Sequence, residues 1–258
     1  LTAVVDGAPS GLPATPLKMM RDGRINRSPS GKPLKLIMGT VLDELALFVI
    51  LSPLLFENGT LPIDSASLRR AAAQFTGSHE GWNQSTTNDI VREYTRSPHE
   101  TDAYRLTRCG TDLIFRCATR DAARALSAAG ATVHLYSFEF RTDKWHDPNS
   151  ARCELLSEVG CGVHHAVDVP FVFGLPQPKS GAAEAAVSAA MQTYWTSLAA
   201  DGDPNGSGPQ KAPLVVWPAY DGATDRHLTM GADGTLSVGH GLSKKQCDFW
   251  AGLPPNPW

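Results

Sequence analysis

ATVHLYSFEF, spanning Ala131 to Phe140, shows the residue alternation of a β-strand and begins directly after Gly130. The nineteen positions before that glycine, Thr111 to Ala129, follow a helical pattern, and Gly130 suits the left-handed cap that ends a helix. Helix, glycine and strand in succession are the local grammar of an α/β fold with a mostly parallel sheet flanked by helices. Upstream, PLKLIMGT (Pro33 to Thr40) is a short apolar run between Gly31 and Gly39 and reads as a buried strand, with Asp43 and Glu44 just past its C-terminal end. Between the two strands, Ser65 to Phe75 and Thr86 to Thr95 read as polar-faced surface helices. Downstream lie a polar, turn-rich stretch (Arg141 to Ala151) and an apolar run (Val167 to Leu175), with His165 in the loop between them. A strongly apolar helix, Ala182 to Ala199, breaks at the turn Asp201 to Asn205. His227 to Met230 and Thr235 to Val238 flank a glycine-bounded turn and suit a hairpin at the sheet edge, and Lys244 to Ala251 reads as a last short helix. With no internal repeat, low-complexity tract or linker, residues 1–258 read as part of one continuous domain.

Composition removes several function classes. Twenty-three basic against 26 acidic residues give a net charge of -3, without the basic excess that nucleic acid requires. The longest apolar stretch, Leu45 to Phe56, is interrupted by Ser52 and Pro53 and falls short of the roughly 20 residues of a membrane span. The five cysteines include no Cys-X-X-Cys and no Cys/His spacing that suggests zinc. Asn-X-Ser/Thr triplets occur at Asn26, Asn58, Asn83 and Asn205, the first followed directly by Pro29, so Asn58, Asn83 and Asn205 are the glycosylation candidates. The sequence opens at Leu1 with neither methionine nor a signal-peptide pattern, and a fragment or processed product is expected.

The order strand, acid, helices, strand, histidine brings Glu44 and His165 into view as a pair. A carboxylate that accepts a hydrogen bond from an imidazole fixes its tautomer and stabilises the imidazolium formed when a nucleophile loses its proton. Taken singly, Asp43 and Glu44 are an ordinary solvated loop pair and His165 an ordinary structural histidine. His79, His99, His134, His146, His164, His227 and His240 keep the surface or structural reading, and the tryptophans and phenylalanines are assigned to the core.

Two runs raise Glu44 and His165 above that reading. Gly162-Val-His-His-Ala-Val-Asp-Val-Pro-Phe-Val-Phe-Gly-Leu-Pro176 resembles the histidine motif of the type-B carboxylesterases, the cholinesterase-like branch of the α/β-hydrolases. Gly39-Thr-Val-Leu-Asp-Glu-Leu-Ala-Leu-Phe48 resembles the acid motif of the same family. The family's glycines after the acid and after the histidine are Leu45 and Ala166 here. Val4 to Gly7 with Leu12-Pro13, Tyr194-Trp195 with Gly202 to Asn205 and Trp217-Pro218, and Gln246 to Trp250 are similar to further family segments, in order. The resemblance implies the C-terminal portion of an α/β-hydrolase fold, incomplete without its N-terminal half. It places Glu44 as triad acid and His165 as general base, and leaves Asp168 in a structural role near the histidine. It further implies a long-range disulfide between Cys117 and Cys247. Cys153 and Cys161 are then candidates for a second, local bridge, while Cys109 is either a free thiol or the mate of a cysteine in the missing half.

The expected activity of the parent protein is carboxylic ester hydrolysis by a Ser-His-Glu triad, with no cofactor and a small-molecule ester as substrate. The expected setting is secreted, or the lumen of the endomembrane system. The nucleophile elbow Gly-X-Ser-X-Gly occurs nowhere in the 258 residues, so the chain alone is expected to be inactive. The alternative is a non-catalytic cholinesterase-like adhesion or binding domain, which has no use for a retained acid and histidine.

Overall fold

The computed structural model describes residues 13–25, 31–51, 65–77, 81–98, 100–141, 162–174, 181–206 and 214–253. Val4 to Gly7, Asn26, Asn58, His79, His99, His146, Cys153 and Cys161 lie outside them.

Strands β1 (Lys35–Val41) and β2 (Thr132–Phe138) pair in parallel along their whole length, from Lys35 opposite Thr132 to Val41 opposite Phe138. β2 also pairs in parallel with β3 (Arg226–Met230), and β3 pairs antiparallel with β4 (Leu236–His240), giving the order β1-β2-β3-β4. The sheet is therefore mixed, and the expected hairpin forms its outer edge. The helices are α1 (Pro16–Arg21), α2 (Ala46–Leu51), α3 (Ser65–Gly77), α4 (Gln84–Tyr94), α5 (Asp102–Gly110), α6 (Cys117–Ala128), α7 (Val169–Phe173), α8 (Ala182–Asp201) and α9 (Lys244–Ala251).

Side chains alternate across a strand, so each strand feeds two cores. Val133 and Leu135 of β2 point to the side of α6, where they pack with Ala123, Leu126 and Tyr220. Tyr136 and Phe138, with Val41 of β1 and Leu228 and Met230 of β3, face α8 and meet Val187, Met191, Tyr194 and Trp217. Covered on both faces, β2 is buried from Val133 to Phe138. A third cluster is built mainly from helices: Leu68 and Ala72 of α3, Ile90 and Tyr94 of α4, Leu106 of α5 and Trp250 of α9. Thus α3 and α4 are polar on their outer faces only.

One reading changes, and two apolar runs that had no element assigned gain one. The helix expected to begin at Thr111 begins at Asp102, capped by Thr101, and runs through a π-helical segment (Thr111–Arg116) into α6. Gly110, at the join, serves packing: a Cβ there would lie 2.0 Å from Cδ2 of Leu45. The apolar run Val167 to Leu175 contains the short helix α7, with Pro170 in its first turn, where no backbone donor is needed. The apolar stretch starting at Leu45 opens as α2.

Cys117 at the start of α6 is disulfide-bonded to Cys247 on α9, 130 residues away, with their α-carbons 5.1 Å apart. On the loop-entropy model, a cross-link of that span contributes about 5 kcal/mol. Cys109 is a buried free thiol whose ionisation burial pushes well up.

Candidate active site

The site forms where β1 and β2 end. Beyond Val41 the chain turns through residues 42–45, and the amide of Leu42 donates to the carbonyl of Phe138 (2.9 Å), extending the strand pairing by one bond. Glu44 is buried within this turn. Its Oε1 accepts the amide of Val41 at 2.9 Å, which fixes the carboxylate, and its Oε2 lies 2.6 Å from Nδ1 of His165. The His165 side chain is 43% exposed against 6% for Glu44. With Nδ1 engaged, Nε2 is the nitrogen left for chemistry. A buried acid behind a half-exposed imidazole is the arrangement that holds one tautomer and supports a proton arriving at Nε2.

Two aromatic rings flank the imidazole: Phe48 of α2 at 5.3 Å and Phe115 of the π-helical segment at 5.1 Å between ring centroids. Phe48 is 40% exposed, so the assignment of the phenylalanines to the core fails at this position. It fails again at Phe173, 72% exposed on α7. Phe171, Trp217 and Trp250 are buried as expected.

The backbone of the acid turn is held from below by Arg116. Its Nη2 donates to the carbonyls of Val41 (3.1 Å) and Leu42 (3.4 Å), and its Nη1 to the hydroxyl of Ser243 (3.3 Å). Thr111, also in the π-helical segment, accepts the amide of Leu45 at 3.1 Å. The π-helical distortion thus presents Thr111, Phe115 and Arg116 to the site, in keeping with the frequent use of such bulges at functional positions. Asp43 is buried as well, and burial pushes its carboxyl up despite a hydrogen bond from the amide of Val163. Asp43 sits in the acid motif, but the motif does not show that its carboxylate serves a main-chain amide; Arg116 lies outside both motifs, and apart from the Ser243 hydroxyl its partners are main-chain carbonyls, which every residue has.

Asp168 accepts the Tyr136 hydroxyl at 2.7 Å. His164 is buried, with Nδ1 3.0 Å from the carbonyl of His165. His134 and His227 are buried as well, and His240 sits on the surface with Nδ1 3.2 Å from the carbonyl of Thr224. Among the described residues no group of three or more His, Cys, Asp or Glu is placed to hold a metal ion, and no helix is long and apolar enough to cross a membrane.

The model of the Carboxylesterase family matches residues 1–250. The chain belongs to the carboxylesterase family. It is 34% identical over 131 residues to an acetylcholinesterase of Gallus gallus, covering 49% of this chain and 15% of that protein. It is 33% identical over 144 residues to a fatty acyl-CoA hydrolase precursor, medium chain, of Anas platyrhynchos, covering 55% and 23%. Over 260 residues it is 25% identical to carboxylesterase 1C of Mus musculus, covering 98% and 42%. The chain therefore spans less than half the length of these relatives.

For a carboxylesterase-family chain the two glycine replacements now have local explanations. Leu45 fits because Gly110 leaves room for its side chain. Ala166 does adopt the glycine-like conformation, with φ of +67°. The sequons differ in what their asparagines already do. Asn83 caps α4 through Oδ1, which accepts the amides of Ser85 and Thr86 and leaves Nδ2 out of the cap. Asn205 commits Nδ2 to the carbonyl of Trp217 (2.9 Å) and to Asp203 (3.0 Å), and a glycan would replace one of these hydrogens.

Proposed function

We propose that this chain is the C-terminal part of a serine-dependent carboxylic ester hydrolase, supplying His165 as general base and Glu44 as the acid that orients it. The supporting observation is the 2.6 Å contact between Glu44 Oε2 and His165 Nδ1, with the acid buried and the ring half open. The nucleophile comes from an N-terminal half that completes the same α/β-hydrolase domain. Support for this lies in the absence of Gly-X-Ser-X-Gly from the 258 residues and in the 42% of a relative that nearly the whole chain covers.

In the reaction, Nε2 of His165 takes the serine proton as the oxygen attacks the ester carbonyl, and the Glu44 carboxylate stabilises the imidazolium. The same proton then passes to the leaving alkoxide, and an acyl-enzyme remains. In the second half His165 deprotonates a water that attacks the acyl carbonyl, and the proton then returns to the serine oxygen as the acid departs. This chemistry needs no cofactor, and its substrate class is a small carboxylic ester. The Cys117–Cys247 bridge supports a secreted or lumenal setting, where disulfides persist.

The test is p-nitrophenyl ester hydrolysis by the full-length protein. His165→Ala is expected to lower kcat by about 10⁴-fold or more, and Glu44→Gln by about 10²–10⁴-fold, with KM little changed. Undiminished activity in folded His165→Ala protein would overturn the assignment.

A further inference from the structure

The acid turn and the histidine loop come from positions about 120 residues apart, and besides the Glu44–His165 contact they are joined through Asp43. Its amide donates to the carbonyl of Val163 at 2.9 Å, and its Oδ2 accepts the amide of Val163, also at 2.9 Å. The two bonds clamp one residue of the turn to one residue of the loop. Gly162 is shaped to the same carboxylate: it has φ of +53°, and a Cβ on it would fall 2.4 Å from Oδ2 of Asp43. Asp43 is 1% exposed, and its second oxygen, Oδ1, is buried with no hydrogen-bond partner among the described residues. A buried carboxylate with one oxygen unsatisfied is costly, and it is retained where the histidine loop is docked.

We infer that Asp43 is a positioning residue for the catalytic pair: it sets the distance between His165 and Glu44 by clamping Val163, two residues before the histidine, to the residue next to the acid. The role rests on the proposed function only for its catalytic meaning; the clamp itself is geometry. Losing the carboxylate leaves Val163 held by the Asp43 amide alone, so the loop can shift while Glu44 stays anchored to the Val41 amide, and the 2.6 Å contact opens. Displacements of about 1 Å at such a pair typically cost on the order of 100-fold in rate.

The experiment uses the full-length protein that contains this chain, with Asp43→Ala, Asp43→Asn and Gly162→Ala variants. Two readouts are taken: the low-field proton NMR signal of the His165 Nδ1–H bonded to Glu44, and kcat per active site titrated with an organophosphonate. Asp43→Ala is expected to lose or broaden the signal and to lower kcat per titrated site by about 100-fold with KM little changed. Asp43→Asn keeps an oxygen for the Val163 amide and is expected to recover to within about tenfold. Gly162→Ala, which pushes the carboxylate aside, is expected to weaken the signal in the same sense and serves if Asp43→Ala does not fold. A sharp, unshifted signal with undiminished kcat per site in a folded Asp43→Ala or Gly162→Ala protein overturns the inference. A wild-type protein without esterase activity whose His165 signal still depends on Asp43 would instead sink the proposed function and leave the clamp standing.

Discussion

Ala166, the residue after the candidate base, holds φ of +67°, where an L side chain crowds the following carbonyl at a cost of about 1–2 kcal/mol. Glycine adopts that conformation freely but loses more chain entropy on folding, so Ala166→Gly is expected to stabilise by about 1 kcal/mol net. In a protein of this size that raises the melting temperature by about 2–4 °C, readable by calorimetry; an unchanged or lowered value would show that the loop gains nothing from relief at this position. The strain itself was not legible, because sequence shows the replacement and not whether the backbone had relaxed around it. Glu44 and His165 were legible because motif order narrows two residue types to two positions. Asp43 was visible only as a motif position and Arg116 not at all, since a charge that serves main-chain amides and carbonyls leaves no complementary residue elsewhere in the sequence to find.

At the scale of elements, strands and helices with a clear period appear where the pattern places them: β1, β2, α3, α4 and α9 agree to within about three residues. Helices of five or six residues, α2 and α7, are too short to establish a period and read only as apolar runs. The turn after α8 carries more weight than its composition suggests. Asn205 pairs with the backbone of Trp217 as a second strand would, accepting its amide at 2.7 Å while donating to its carbonyl at 2.9 Å. Trp217 is fully buried and donates from Nε1 to the carbonyl of Leu135 in the middle of β2, so the turn anchors a core residue to the sheet. Removing the amide leaves main-chain groups unpaired at about 1 kcal/mol or more each, and Asn205→Ala is expected to cost about 2–3 kcal/mol. Ser207→Ala breaks the same Asn-X-Ser triplet and leaves Asn205 in place. A fall in melting temperature of roughly 5–10 °C for Asn205→Ala, with no comparable fall for Ser207→Ala, assigns the residue to the fold. Equal falls would assign the effect to a lost glycan.

On the scale of the whole molecule, the two sheet faces and the helical cluster share boundaries, and buried polar groups sit along them. Trp250 of α9 donates to the Tyr94 hydroxyl at 2.8 Å, and Tyr94 in turn to Asp112 at 2.9 Å, so the disulfide-linked terminal helix reaches the π-helical segment behind the site. At the far side of the sheet, Arg120 and Arg124 converge on Asp225. Burial alone would raise that carboxyl, but hydrogen bonds from Arg120 and Tyr220 hold it below the usual range. At two histidines burial prevails instead. His134 and His227 are buried, and Nδ1 of each lacks a hydrogen-bond partner among the described residues. Burial lowers both imidazoles, outweighing the attraction of Asp203 for the first and of Glu139 for the second. The unfolded chain, whose histidines titrate at about pH 6.5, therefore takes up these two protons at a higher pH than the folded chain does. Stability from this source is complete above that pH and declines as pH falls through it, until the folded rings are protonated too. The raised carboxyls of Asp43 and Asp112 act in the opposite sense on acidification, so the total pH curve mixes the two contributions. Comparison with His134→Gln/His227→Gln removes that ambiguity, because everything except the two imidazoles is common to both proteins. The melting-temperature advantage of the wild type over this variant is expected to stay level from about pH 8 to about pH 7 and to shrink from there to about pH 5, and an advantage independent of pH would mean that neither ring is held neutral by burial.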